Sequence, residues 1–265
     1  MHPANETEQS REPRQRRLAA VVLAKTNYGE ADLIVTFLTR ELGLLSGLAR
    51  YGRRSIRRFG GGLLSPGTIA WYDFTIKPNI NLAFVERGEE NPKAHRLPAD
   101  PLVQCLAAFA LELIRGFEAP GNPAEESFEL LVRHLSRLAR CQGQWAKRLV
   151  SLDFALKYLE LAGFSPRLGG CLLCGAVADA PEPGWRWDPL AGGIYCPWCQ
   201  NENGRKGRAI SPALLARLGA TSADAVPPLS GDDLAEAESF FEKLAAHHMG
   251  RPLMSMKAAR CHFSE

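Results

Sequence analysis

The sequence lacks any apolar run long enough to cross a bilayer. Its longest apolar stretch, Leu102 to Ile114, is broken by Gln104 and Glu112, whereas a span needs about 18 uninterrupted apolar residues. It also lacks a recognisable leader. Residues 1–17 mix Glu6, Glu8 and Glu12 with arginines, which suits neither a secretory signal nor an acid-poor transit peptide. The expectation is a cytoplasmic protein with a loose polar N-terminal extension over residues 1–17. An even cysteine count is missing too: seven cysteines do not close into a disulfide framework, and reducing cytosol disfavours disulfides.

Familiar catalytic signatures are absent as well. There is no HExxH, no GxSxG and no dinucleotide fingerprint. Gly60-Gly61-Gly62 leads into Leu63-Leu64-Ser65-Pro66 rather than Gly-Lys-Ser/Thr, so it is not a nucleotide-binding loop. Asp32, Asp73 and Glu86 fall in or beside expected strands, at positions read as solvent-facing. No catalytic residue is expected, and the chain reads as a non-enzyme.

What is present is ordinary for a folded protein of one to three domains. Of 265 residues 46% are apolar and 23% charged, with 18 Pro and 24 Gly dispersed along the chain. The net charge of +3 is unevenly placed. Residues 1–60 carry 11 basic against 6 acidic side chains, and the rest carry 21 against 23.

Residues 18–88 read as β. LAAVVLAKT, DLIVTFLT, GLLSGLARY, GTIAWYDFTI and NLAFVERG are short strand-like runs, with Lys77-Pro78-Asn79 as the turn between the last two. Ile69, Trp71 and Asp73 alternate with Ala70, Tyr72 and Phe74. Five short strands without a helical period among them point to a small closed barrel; an SH3-like barrel or a small sandwich fits nearly as well. From residue 100 the period becomes helical. Asp100-Pro101 reads as an N-cap followed by Pro at the first helical position. Leu102, Leu106, Phe109 and Leu113 then share one face, Phe128, Leu131, Leu135 and Leu138 a second, and Leu149, Leu152, Leu156 and Leu159 a third. Ser211-Pro212 opens a further helix, Leu234, Ala237, Phe241 and Leu244 line the last, and residues 221–233 form a connection.

Two features carry chemistry. Cys171-Leu-Leu-Cys174 and Cys196-Pro-Trp-Cys199 are 21 residues apart, close to the usual ribbon spacing. Two tight turns, each aiming two thiolates at one point, complete a tetrahedral shell with no place for a catalytic water. One structural Zn²⁺ is expected, with the segment between the pairs (Trp185, Trp187, Tyr195) a short hairpin supported mainly by the metal. Cys105 and Cys141 read as small core or boundary residues. His95, His134 and His262 have no partner at ligand spacing, and His247-His248 point about 100° apart on a helix. The second feature is basic: Arg50, Arg53, Arg54, Arg57 and Arg58 lie within nine residues free of acid, with Tyr51 and Ile56 among them. Guanidinium groups suit phosphate oxygens and aromatic rings stack bases, so nucleic acid is the expected ligand; a merely solvated loop is the alternative.

The chain resembles the bacterial RecO family of DNA repair proteins. GEADLIVTFLTRELG (29–43), ARYGRRSIRRFGGGLLSPGTIAWYDF (49–74), the CxxC pairs and GRPLMSMKAAR (250–260) carry the resemblance, in the family's order. It implies an α+β multidomain protein: an N-terminal OB-fold barrel over 18–98, an α-helical domain over 99–167 and 205–265, and a zinc-binding insert over 168–204. It also implies a recombination mediator that binds single- and double-stranded DNA and anneals complementary strands. Such proteins work with RecR and the C-terminal tail of single-stranded DNA-binding protein, and help load RecA. Cys171, Cys174, Cys196 and Cys199 match the zinc ligands, and Arg50, Arg53, Arg54, Arg57 and Arg58 match the basic stretch of the barrel and are, with Tyr51, the expected DNA contacts. Arg115, Arg133, Arg137 and Arg140 are candidates for the tail site. A metal-dependent nuclease or transferase, or a protein-only zinc-ribbon module, is the competing expectation.

Overall fold

The computed structural model describes residues 13–77, 82–92, 94–178, 183–203, 207–219 and 229–255. It divides into two compact units, Met1–Cys141 and Gln142–Glu265.

The first unit opens with β1 (Arg14–Tyr28), β2 (Asp32–Thr39) and β3 (Gly43–Ala49), continues through a short helix α1 (Ile56–Phe59) and a 3-10 turn (Gly60–Gly62), and returns with β4 (Ile69–Ile76) and β5 (Ala83–Glu90). The strands close into a barrel in the order β1-β2-β3-β5-β4, with β1 antiparallel to both β2 and β4 and β3 parallel to β5. That closure selects the barrel over the sandwich. It depends on the length of β1, which pairs with β4 through its first half and with β2 through its second, changing register at a bulge between Val22 and Ala24. Inside, Phe37 packs on Tyr72 and Phe74 with ring centroids 4.8 and 5.2 Å apart. Phe59, Leu63 and Leu64 enter from the β3–β4 connection to complete the core. The Tyr72 hydroxyl donates to the Leu63 carbonyl, and burial pushes its pKa up.

Residues 14–17 depart from the loose extension expected of them. Arg14 through Arg17 lie in register opposite Ile76 through Asp73, so the barrel begins at Arg14 rather than residue 18. The physical reason is that β4 runs on to Ile76 and offers these backbones a ladder, while their exposed side chains give no apolar signal.

Two helices, α2 (Pro101–Phe117) and α3 (Glu125–Arg140), belong to this unit. The Asp100 carboxylate accepts from the N–H groups of Leu102 and Val103 at 2.9 and 3.4 Å, with Pro101 at the first position. The expected apolar rows of both helices are buried. The β2–β3 turn grips the loop between the helices. Gly121 N–H donates to Leu42 O and Ala124 N–H to Arg40 O. Arg40 pairs with Glu125 and Glu129 and lies over the Phe128 ring. Gly43, at φ +57°, is required here, because a Cβ on it would sit 2.1 Å from the Asn122 carbonyl.

The second unit holds α4 (Gln144–Leu161), a small sheet, α5 (Pro197–Asn203), α6 (Pro212–Gly219) and α7 (Gly231–Met249). Of the leucine row expected for α4, Leu152 and Leu159 are buried but Leu149 and Leu156 only half so. Phe154 and Tyr158, stacked with centroids 5.8 Å apart, turn the buried face toward themselves. Arg148 of α4 grips Glu238 of α7 through two bonds of 2.8 and 2.9 Å. The expected row of α7 is buried, and Ser230 with Asp233 forms a capping box at its start. The sheet comprises β6 (Arg167–Cys171), β7 (Arg186–Asp188), β8 (Gly193–Tyr195) and β9 (Arg208–Ala209), in the order β6-β8-β7-β9. It therefore runs past both ends of the insert expected over 168–204, because Arg167 of β6 pairs with β8 and β7 takes β9 as its second neighbour. Most of the Lys77-Pro78-Asn79 turn, residues 221–228 of the connection, Cys261 and His262 lie outside the described residues.

Candidate nucleic-acid interface and metal centre

The basic stretch forms the connection from β3 to α1, and its cations divide by what they touch. Arg58, half-buried, donates to Ser55 Oγ at 3.1 Å and to the carbonyls of Glu86 and Arg50, and lies over the Phe59 ring. Arg53 donates to the Glu30 carbonyl at 3.1 Å. Arg50 stands over Phe84 at 5.1 Å. These three hold the loop down. Arg54 and Arg57 are exposed and make no side-chain hydrogen bond or ion pair among the described residues. Beside them, Ile56 is 84% and Tyr51 63% exposed.

Tyr51 has φ +52°, the one non-glycine residue with positive φ among those described. Such a conformation costs about 1–2 kcal/mol for an L-residue and persists only where its surroundings impose it. Here the Asp32 carboxylate accepts the Tyr51 N–H at 2.7 Å, and the Ser55 N–H donates to the Tyr51 carbonyl at 2.9 Å. Asp32 is thus a loop-holding residue that sequence reasoning assigned to solvent. Its place at the first position of β2 was the only available signal. Asp73 pairs with Arg87 and Glu86 is exposed, so Asp32 and Asp73 have different partners and the three carboxylates share none.

The four cysteines of the CxxC pairs converge. Cys171 ends β6, Cys174 follows in the turn, Cys196 follows β8, and Cys199 lies in α5. All four sulfurs lie within 4.8 Å of one another, and those of Cys174 and Cys196 are 3.7 Å apart. A tetrahedral ion with bonds of about 2.3 Å to sulfur requires edges of about 3.8 Å, so the donor set fits a metal, and with four sulfurs it is closed. Burial alone would raise the Cys171 thiol, but N–H groups of Cys174, Cys196 and Leu173 bring it down to about 6. Burial pushes Cys196 up, and the Cys174 thiol with burial pushes Cys199 up to about 12. Gly193 brings β8 close to β6: a Cβ there would lie 2.8 Å from the Arg167 carbonyl and from Leu172. Beside its sulfurs, the segment expected to rest mainly on the metal also packs on a helix. Trp187 of β7 stacks on Phe240 of α7 with centroids 4.1 Å apart and planes at 6°, and its indole N–H donates to Glu236 at 3.1 Å.

The remaining candidates lie on or beside the helices of the first unit. Arg133, Arg137 and Arg140 share the exposed face of α3 at i, i+4 and i+7, while Arg115 is exposed in the last turn of α2. Cys105 is half-buried in α2, and Cys141 is half-buried as the residue following α3. No described helix is long and apolar enough to cross a membrane.

Comparison with known proteins places these features in one family. Residues 14–90 match the family described as Recombination protein O N terminal, and residues 99–257 that described as Recombination protein O C terminal. The chain is 33% identical over 253 residues to the DNA repair protein RecO of Anaeromyxobacter sp. (strain Fw109-5), covering 91% of this chain and 94% of that one. It is 34% identical over 245 residues to the DNA repair protein RecO of Myxococcus xanthus, covering 89% and 93%. The counterpart from Rubrobacter xylanophilus is 32% identical over 202 residues, covering 76% and 78%. With an OB-like closed barrel at its start, helices after it and a four-cysteine cluster, the chain belongs to the RecO family of DNA repair proteins.

Proposed function

We propose that this protein is a recombination mediator that binds DNA on the β3–β4 side of its barrel and anneals complementary single strands without covalent chemistry. The observation that carries the reading is the division of labour in one loop. Arg50, Arg53 and Arg58 fix its shape, leaving Arg54 and Arg57 exposed beside Tyr51. Phosphates sit on the two open guanidiniums while a base stacks on Tyr51. Neutralising the backbones of two strands lowers their repulsion and raises their local concentration, and pairing then proceeds on its own free energy. Double-stranded DNA meets the same cations through its phosphates.

Cys171, Cys174, Cys196 and Cys199 hold one structural Zn²⁺, which supplies folding free energy and no reaction step. The partners are those the family implies: RecR, the acidic C-terminal tail of single-stranded DNA-binding protein and, indirectly, RecA. Arg133, Arg137 and Arg140, with Arg115, offer cationic surface for the acidic tail. The setting is the cytoplasm, at the nucleoid.

Annealing of two complementary labelled oligonucleotides, followed by energy transfer, tests the reading. The Arg54→Ala/Arg57→Ala variant, with wild-type melting and metal content, anneals at least tenfold more slowly. Annealing at the wild-type rate overturns the assignment. Strand cleavage in Mg²⁺ by the wild-type protein, abolished by one Asp→Asn change, favours an enzyme instead.

A further inference from the structure

The barrel has a second set of unclaimed cations, and the sequence pattern conceals it. Arg14 and Arg16 lie at the start of β1, on the same face as Leu18, Ala20 and Val22, and continue that row beyond the barrel interior. Both are exposed and make no side-chain hydrogen bond or ion pair among the described residues. Their neighbours on the strands are already committed: Arg17 pairs with Glu89 at 2.8 Å and Arg87 with Asp73. A groove of about 500 Å³ opens beside Arg16, with Arg17, Arg58, Asp73, Thr75, Glu86 and Arg87 among its walls; Arg14, two residues earlier on β1, is not one of them. Glu86 is the groove's unpaired carboxylate, and Asp73 is neutralised by Arg87. The cations in it outnumber the acids.

This groove is continuous with the basic loop. Arg58, which ties the loop together, is one of its walls. Phe84 carries Arg50 and Lys77 over its ring, each at 5.1 Å, and Lys77 follows Ile76, the register partner of Arg14. Positive charge therefore lies at the loop, over Phe84, and at the end of β4 that pairs with the start of β1. Arg14 and Arg16 are two residues apart on an extended strand, about 6.6 Å along it at ~3.3 Å per residue, so each can take a separate phosphate.

We infer that the start of β1 is a second phosphate-binding element, in which Arg16, on the groove it shares with Arg58, and Arg14, two residues earlier on the strand, bind the sugar–phosphate backbone of single-stranded nucleic acid. This rests on the reading of the barrel as a DNA-binding module. It lengthens the contact beyond the loop and gives the residues read from sequence as a loose extension a role in binding.

The experiment measures binding of a labelled oligothymidylate by anisotropy at several salt concentrations, for the full chain and three variants. Each phosphate neutralised on a single strand contributes about 0.7 to the slope of log K against log salt. Arg14→Ala/Arg16→Ala lowers the slope by about 1.4, Arg14→Lys/Arg16→Lys restores it, and Arg54→Ala/Arg57→Ala lowers it independently. A wild-type slope for the Arg14→Ala/Arg16→Ala protein, with a reduced slope for Arg54→Ala/Arg57→Ala, overturns this inference and leaves the loop assignment standing. A wild-type slope for both alanine variants overturns the two together. Failure of the lysine pair to restore a lowered slope shows that charge is not the cause and overturns the inference as well.

Discussion

Trp187 joins the four-cysteine sheet to the last long helix, and replacing it measures how far the metal module and the helices share their stability. The side chain is fully buried, stacked on Phe240 at 4.1 Å and bonded to Glu236 at 3.1 Å. Trp187→Ala removes that volume and costs about 3–5 kcal/mol. Trp187→Phe keeps a ring against Phe240 and loses mainly the hydrogen bond to the carboxylate, about 1.5–3 kcal/mol. Peptide-resolved hydrogen exchange reads the result. In Trp187→Ala, amides of β7, β8 and α7 exchange about 10²- to 5 × 10³-fold faster, those of the barrel exchange as before, and a competing chelator extracts the metal more readily. Unchanged protection in α7, or unchanged metal release, refutes the coupling and leaves the sheet dependent on its ion alone.

Other substitutions probe single contacts. Gly43→Ala places a methyl group against the Asn122 carbonyl at a φ of +57°; thermal melting should show a loss of at least about 2 kcal/mol in the first unit. Tyr51→Gly relieves the positive φ, so stability holds or rises by up to about 1 kcal/mol. Single-strand affinity meanwhile falls by the about 1–3 kcal/mol of one base stack, measured by anisotropy; undiminished affinity removes Tyr51 from the interface. Burial alone would raise the Asp233 pKa, but hydrogen bonds from Ser211 and from the Ser230 N–H and hydroxyl hold it below the usual carboxylate value. Its contribution is therefore present above the unfolded pKa and lost as pH falls through the lower folded one. Asp233→Asn lowers stability at pH 7 by about 1 kcal/mol and flattens the acid limb of a pH–melting curve; an unaltered curve contradicts the capping role.

Much of the fold was legible because burial imposes a period. The rows ending at Leu113, Leu138 and Leu244 are core, and the alternation from Ile69 to Phe74 matches the pleat of β4. The CxxC pairs were legible because tetrahedral thiolate chemistry fixes their local spacing. Hidden features depend on contacts between distant segments. Nothing local distinguishes Arg14 from a residue in a polar tail until β4 supplies its ladder. Nothing in the run from Arg50 to Arg58 separates the guanidiniums that bind backbone carbonyls from those left open. The same holds for Trp187, read as part of a metal-supported hairpin and found stacked on a helix more than fifty residues away.

The central claim is that cations on the barrel neutralise nucleic-acid backbone, and the most direct measurement is the binding of the unmodified, metal-loaded protein to single-stranded oligothymidylate across a salt series. Affinity that falls linearly in log–log form with a slope of about −1.4 or steeper, equivalent to two or more phosphates, is the predicted result. Absence of binding at low salt, or an affinity indifferent to salt, would contradict it.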